Sequence, residues 1–263
     1  MTGEDAIASA CIARSSAAKH DFKAGSGRPN GVARRALALG KGCVDVSMLA
    51  LLLYLMGYRA GSGLLSHAVC GAILIVLFAV HLLLNIRWLA ALRRGRYGVA
   101  RALNTAVDLA LALCLVGLAA SSAMMAGYVL PMWPLSMPWY ARTLHMASSA
   151  WCVLLMAFHV GLHAHTGLRR LWARLPEAGA ARRIWLVSAL GVCALGAWCA
   201  VSGGLLENLV TFDGASSYGF GSVGSDASLY ARTLGTVAGM CSVAHLVQLG
   251  LQRIRQVRAK RRS

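Results

Sequence analysis

Four histidines recur at one spacing in two apolar segments of the chain. His67 and His81 are 14 residues apart, and so are His145 and His159. In an α-helix, about 14 residues return to within about 40° of the starting face and rise about 21 Å. If both segments are helical, each presents two imidazoles on one face, one toward each side of a membrane.

These histidines predict two sites stacked along the membrane normal. One further apolar segment separates the two histidine-bearing segments, so both run in the same direction. His67 is then level with His145 at the outer end, and His81 is level with His159 at the inner end. An imidazole in lipid is costly without a partner, and haem iron takes two axial nitrogens. The pattern therefore predicts two b-type haems, each bound by one histidine from each helix.

A competing interpretation leaves haem out. The histidines would then form hydrogen bonds between helices, or line the path of a non-redox transporter or channel. Such a path is expected to carry several intramembrane acidic residues, and only Asp45 and Asp108 qualify. We expect these two carboxylates to pair with nearby basic residues or to relay protons.

His163 offers a second choice of ligand at the inner site. It follows His159 by four residues on the same face and lies about 6 Å closer to the cytoplasm. That displacement breaks the level match with His81, so the spacing favours His159 as the ligand. His163 would then bond a haem propionate or belong to a quinone pocket.

Two arginines are placed near the outer site by a short repeat. The sequence Tyr-Ala-Arg-Thr-Leu opens both the fourth and the sixth apolar segments and contains Arg142 and Arg232. Arginine binds carboxylates through two parallel hydrogen bonds, so both are candidate partners of haem propionates. The alternative is that they reach out to the membrane interface.

The elements that carry these residues are predicted from composition. The chain is 58% hydrophobic and 13% charged, with a mean hydropathy of +0.61, whereas about a quarter of the residues of a soluble domain are charged. About 20 apolar residues span a membrane as a helix. Six apolar runs are present, at about 43–58, 64–86, 103–126, 143–165, 184–203 and 231–251. The fold class is therefore an all-α bundle of six transmembrane helices in a lipid bilayer.

The basic residues predict the orientation of the bundle. Of 26 Lys and Arg, 23 lie in the two terminal segments and in segments 87–101 and 166–183, and the other three are Arg59, Arg142 and Arg232. Because cytoplasmic segments are rich in Lys and Arg, both termini are predicted to be cytoplasmic. The net charge of +17 is thus explained by topology, without a nucleic-acid partner. The chain divides into a disordered cytoplasmic arm at 1–42, a haem-binding domain at 43–252 and a basic tail at 253–263.

These segments are similar to a known family. The sequence from Ala141 to His163, and His67 followed by His81, Asn85, Trp88 and the basic turn Gly95-Arg96-Tyr97, resembles the bacterial flavinylation-associated cytochromes over about residues 40–250. The resemblance implies b-type haem binding in the bacterial inner membrane and electron transfer to extracytoplasmic flavoproteins. Ala68 departs from the family, where an acidic residue is expected after the first histidine. Asp213-Gly214-Ala215-Ser216-Ser217 begins like a flavin-transfer target but continues differently, so the loop is interpreted as a Gly/Ser-rich loop without covalent flavin.

The sequence thus predicts transmembrane electron transfer through two bis-histidine haems. Electrons would enter near His81 and His159 from a quinol or a cytoplasmic donor, and leave near His67 and His145 toward an extracytoplasmic acceptor. The long outer loop 204–228 has three acidic residues and no Lys or Arg, and is the expected docking surface for that acceptor. The chain would act as an electron carrier within an oxidoreductase, or as the membrane anchor of a redox complex, without a substrate of its own.

Overall fold

A computed structural model describes residues 31–57, 63–94, 97–130, 132, 138–172, 179–205, 209 and 226–261. It contains seven α-helices in this part of the chain, of which α3 is short. In order they are α1 Gly31–Met56, α2 Leu64–Leu84, α3 Ile86–Ala91, α4 Val99–Met125, α5 Ala141–Trp172, α6 Gly179–Ser202 and α7 Asp226–Lys260. The chain divides after Val46 into two compact units, and the helical bundle is the second of them, Ser47–Ser263.

Six of the described helices are long and apolar enough to cross a membrane. The spans are Arg35–Met56, Leu64–Leu84, Val99–Met125, Ala141–Ala164, Gly179–Ser202 and Ala227–Val257. Their outward faces are apolar and exposed, as at Leu113 and Trp198, and such faces suit lipid rather than water. The predicted six-span, all-α membrane architecture is confirmed.

The ends of two helices differ from the predicted boundaries. Helix α1 begins at Gly31, so residues 31–42 of the predicted arm are helical, while residues 1–30 lie outside the described residues. Alanine and leucine dominate residues 36–39, and both favour helix strongly. Helix α7 likewise continues through the predicted tail to Lys260.

Helix α5 lies at the centre of the bundle. Its backbone packs closely against α4 and α7, and α7 packs against α6. Cys152 and Val153 in the middle of α5 have no exposed surface, and Ala157 has none either. The helix that carries His145 and His159 is therefore the one with the most protein around it.

Small residues allow the helices around α5 to approach one another. A Cβ atom on Gly196 of α6 would lie 2.5 Å from the Cα of Gly239 on α7, and one on Gly161 of α5 would lie 2.6 Å from the carbonyl oxygen of Cys241. Small residues at helix interfaces let backbones pack closely where lipid offers no hydrophobic driving force. These contacts bring α7 close to both α5 and α6.

Candidate functional site

His67 of α2 and His145 of α5 lie close together near the end of the bundle that the basic residues predict to be the outer one. Their ring centroids are 6.2 Å apart, and their planes are inclined by 61°. A metal–imidazole bond is about 2.0 Å and a ring nitrogen lies about 1.1 Å from its ring centre, so two opposed imidazoles on one iron have centroids about 6 Å apart. The separation of the two centroids is thus the one that a single iron ion between these imidazoles would require.

The surrounding backbone is consistent with this spacing. In the part of the chain that the structure describes, α4 packs closely on α5, but α2 and α5 do not pack backbone to backbone in this way. A pair of helices joined through two imidazoles and an iron must stand farther apart than helices in direct contact. The outer pair therefore meets through its side chains rather than through its helix backbones.

Two serines of α4 orient the ring of His145. The Nδ1 of His145 lies 3.2 Å from the Ser121 Oγ and 3.4 Å from the Ser122 Oγ. The Ser121 hydroxyl donates to the carbonyl oxygen of Gly117 at 2.8 Å, so its oxygen accepts the Nδ1–H of His145. The lone pair that remains on this histidine is then at Nε2, the nitrogen available to a metal.

Asp108 of α4 orients the ring of His159 at the predicted inner end. The Nδ1 of His159 lies 2.7 Å from the Asp108 Oδ1. An ionised carboxylate only accepts, so Nδ1–H is the donor and Nε2 again keeps its lone pair. Metal-bound histidines usually donate their second N–H to a carboxylate, carbonyl or water, which fixes the tautomer and the ring orientation. Asp108 was expected to pair with a basic residue or relay protons; its partner in the structure is His159.

The spacing of the polar residues on α4 explains both contacts. Asp108 and Ser122 are 14 residues apart, the same separation as the two histidines of α5. In an antiparallel pair of helices, residues at equal separations meet at equal heights. Sequence reasoning missed this register, although it was present in the spacing.

An apolar layer separates the two levels. Leu74 lies midway between the two histidines of α2, Cys152 lies midway between the two of α5, and Leu115 lies midway between Asp108 and Ser122. These three side chains are buried together in one cluster. Seven residues of helix return to nearly the same face, so the histidine-bearing faces of α2 and α5 are directed to the same interior.

His163 lies beside His159, on the side of the cytoplasmic boundary predicted from the sequence. Their ring centroids are 4.5 Å apart, and His163 is exposed. The ligand atoms of Asp108, His159 and His163 lie within 4.8 Å of one another. Two imidazoles and a carboxylate are a donor set that divalent transition metals accept.

His81 is placed near the inner end of α2, where the helix ends at Leu84. The side-chain amide of Asn85 donates to the carbonyl oxygen of His81 at 2.9 Å and lies 3.5 Å from its Nε2. The Asn85 side chain therefore both stabilises the last turn of α2 and contacts the imidazole of His81. The chain turns directly afterwards into α3.

The two arginines predicted near the outer site differ in their surroundings. Arg142 is exposed in the first turn of α5. The guanidinium of Arg232 donates to the carbonyl oxygen of Ser202 at 3.0 Å, so it caps the end of α6. Most of the loop 204–228, including Asp213–Ser217, lies outside the described residues.

His245 is a buried histidine with a different partner. It is 6% exposed on α7, and its Nε2 accepts a hydrogen bond from the indole nitrogen of Trp185 at 3.2 Å. This bond links α7 to α6 and engages Nε2, one of the two ring nitrogens that can bind a metal.

Comparisons of the chain with protein-family models, curated proteins and solved structures give no match. The functional assignment therefore depends on the residues and geometry of this chain.

Proposed function

We propose that this membrane protein transfers electrons across the bilayer through two b-type haems, bound by His67 with His145 and by His81 with His159. The observation that supports this most directly is the 6.2 Å separation of the His67 and His145 rings. When bound, each haem supplies an iron that is reduced and oxidised by one electron. The four histidines would provide the nitrogen ligands of these irons.

The inner site is supported by the shared helix faces. Leu74 and Cys152 meet in the apolar cluster between the two levels, and each has a histidine seven residues before and after it. We therefore infer that the faces that bring His67 and His145 together also carry His81 and His159 as a pair at the inner level. The hydrogen bond from His159 to Asp108 leaves Nε2 of His159 available for this pairing.

The two sites lie at different depths of the apolar part of the membrane. Their separation along the helices is about 21 Å, compared with a hydrocarbon core of about 30 Å. Electrons would enter at the inner site from a quinol or a cytoplasmic donor and leave at the outer site for an extracytoplasmic acceptor. The resemblance to flavinylation-associated cytochromes favours a flavoprotein at the outer loop and a bacterial inner membrane as the location.

Histidine substitutions test this assignment. Purified His67→Leu and His145→Leu proteins are expected to contain one haem per chain where the unmodified protein contains two, as measured by the pyridine haemochrome assay. His81→Leu and His159→Leu are expected to lose the other haem.

His163→Leu is the matched control, because it removes an imidazole one turn away from His159. It is expected to keep both haems. If His163→Leu loses the inner haem while His159→Leu keeps it, the inner ligand is His163 and the level match with His81 is wrong.

A second candidate function follows from the three donors at the inner end. Asp108, His159 and His163 together would bind a divalent transition metal, as in a metal-dependent transporter or channel that uses intramembrane histidines. Elemental analysis separates the two: iron at two equivalents with a b-type spectrum supports electron transfer. Zinc or manganese at one equivalent, without haem absorbance, supports the second candidate.

A further inference from the structure

A cavity of about 730 Å³ opens at the end of the bundle where α2 ends and α4 begins. Its walls come from the α2–α4 connection, from α4, from His163 of α5 and from α7. The volume lies within the range of about 300–1,000 Å³ typical of ligand sites. His81 and His159, the proposed inner haem ligands, are not among the side chains that line it.

The mouth of the cavity is strongly basic. Arg94, Arg101 and Arg255 line it from three different segments, and Asp108 is the one acidic residue among the described lining residues. Asp108, whose carboxylate accepts the hydrogen bond of His159, balances only one of these three positive charges. The cavity therefore carries an excess of positive charge at the membrane boundary.

Arg101 is held in a fixed position there. Its guanidinium donates to the carbonyl oxygens of Ala91 and Arg94, both at 2.7 Å, and lies over the ring of Tyr97 at 4.4 Å from the centroid. Asp108 lies seven residues further along α4, about 10 Å deeper. The positive charge thus marks the boundary end of the cavity, and the polar residues lie deeper.

The remaining lining suits an amphiphile. Trp88, Ala91, Leu92 and Ala100 provide apolar surface beside the arginines. Deeper in the cavity, the Gln248 amide donates to Asn104 at 3.0 Å. Basic pockets between transmembrane helices on the cytoplasmic side bind anionic lipid head groups, and arginine binds phosphate through paired hydrogen bonds.

We propose that this cavity binds the phosphate of an anionic phospholipid, with Arg94 and Arg255 as the residues that hold it. The acyl chains would remain in the bilayer beside Trp88, and the head group would lie between α4 and α7. The proposal goes beyond the haem assignment and does not depend on it.

Lipid binding to the purified protein tests the proposal. Native mass spectrometry with added phosphatidylglycerol or phosphatidylcholine gives the affinity of the first lipid bound. We expect tighter binding of phosphatidylglycerol, and a loss of about 25-fold in the double variant Arg94→Gln/Arg255→Gln, because each arginine contributes about fivefold near an anionic lipid.

The chain provides a matched control. Arg93 and Arg253 are exposed neighbours on the same two segments and do not line the cavity. The variant Arg93→Gln/Arg253→Gln removes the same charge and is expected to bind phosphatidylglycerol as the unmodified protein does. Arg255→Lys, which keeps the charge but not the paired hydrogen bonds, is expected to give an intermediate affinity if the double variant does not fold.

Three results would overturn the proposal. Equal losses of phosphatidylglycerol affinity in both double variants would mean that the lipid binds through the overall positive charge of this surface rather than in the cavity. Displacement of phosphatidylglycerol by inorganic phosphate would identify a site for a free anion. A loss of haem in Arg94→Gln/Arg255→Gln would assign the arginines to haem propionates.

Discussion

At the residue scale, the central feature is the way α4 supports the histidines of α5. Ser121 and Asp108 each engage a histidine through Nδ1 and leave Nε2 for a metal. The two supports differ in charge: the outer one is a neutral hydroxyl, and the inner one is a carboxylate. A carboxylate makes its histidine more basic and stabilises the more positive, ferric state of a bound iron. The two sites are therefore expected to have different potentials.

Asp108→Asn tests this difference. The amide oxygen still accepts the His159 hydrogen bond, but the negative charge is lost, so the potential of the inner haem is expected to rise. If the carboxylate favours ferric iron about tenfold, the shift is on the order of 60 mV. Potentiometric titration of the absorbance measures it, and the outer haem is expected to stay unchanged.

Asp45→Asn on α1 is the control for loss of an intramembrane carboxylate. It is expected to leave both potentials unchanged. A shift of both haems by similar amounts in Asp108→Asn would show that the charge acts at long range, and not through His159.

At the element scale, the number of spanning helices could be predicted from the sequence, but the packing of α4 against α5 could not. The 14-residue separation predicted that each helix carries its two histidines on one face, and the rings of His67 and His145 do lie close together. The partner of Asp108 could be identified only once α4 was known to pack antiparallel on α5. The sequence alone offers this carboxylate several basic residues as possible partners. The start of α1 at Gly31 was missed because helix propensity continues beyond the apolar run.

The contact between α6 and α7 can be tested by a pair of glycine substitutions. Gly196→Leu places a side chain where a Cβ is already 2.5 Å from Gly239, and overpacking of this kind costs about 1–3 kcal/mol. We expect this variant to have a lower midpoint temperature of thermal unfolding in detergent. Tryptophan fluorescence measures this midpoint.

Gly191→Leu is the control on the same helix, because a Cβ at Gly191 meets nothing within 4 Å. It is expected to unfold at nearly the same temperature as the unmodified protein. Equal destabilisation by both substitutions would mean that glycine is needed in α6 for reasons other than the contact with α7.

At the scale of the whole molecule, six membrane-spanning helices put the beginning of α1 and the end of α7 on the same side of the membrane. The basic residues predict that this side is the cytoplasm. Met132, which is 96% exposed between α4 and α5, is then outside, and Arg261 after α7 is inside. Cys substitutions at the two positions should therefore react differently with a membrane-impermeant maleimide.

We expect Met132→Cys to be labelled in intact cells and Arg261→Cys to be labelled only after the membrane is permeabilised. Labelling of Arg261→Cys in intact cells, with protection of Met132→Cys, would reverse the orientation. The inner and outer sites would then exchange sides, although the pairing of the histidines would be unaffected.

The absorbance spectrum of the purified, unmodified protein tests the central claim most directly. The dithionite-reduced minus oxidised difference spectrum is expected to show the α-band of six-coordinate b-type haem, with two haems per chain. The contradicting result is a folded protein, purified after expression with ample haem, that shows no haem absorbance. His67 and His145 would then not bind an iron between them.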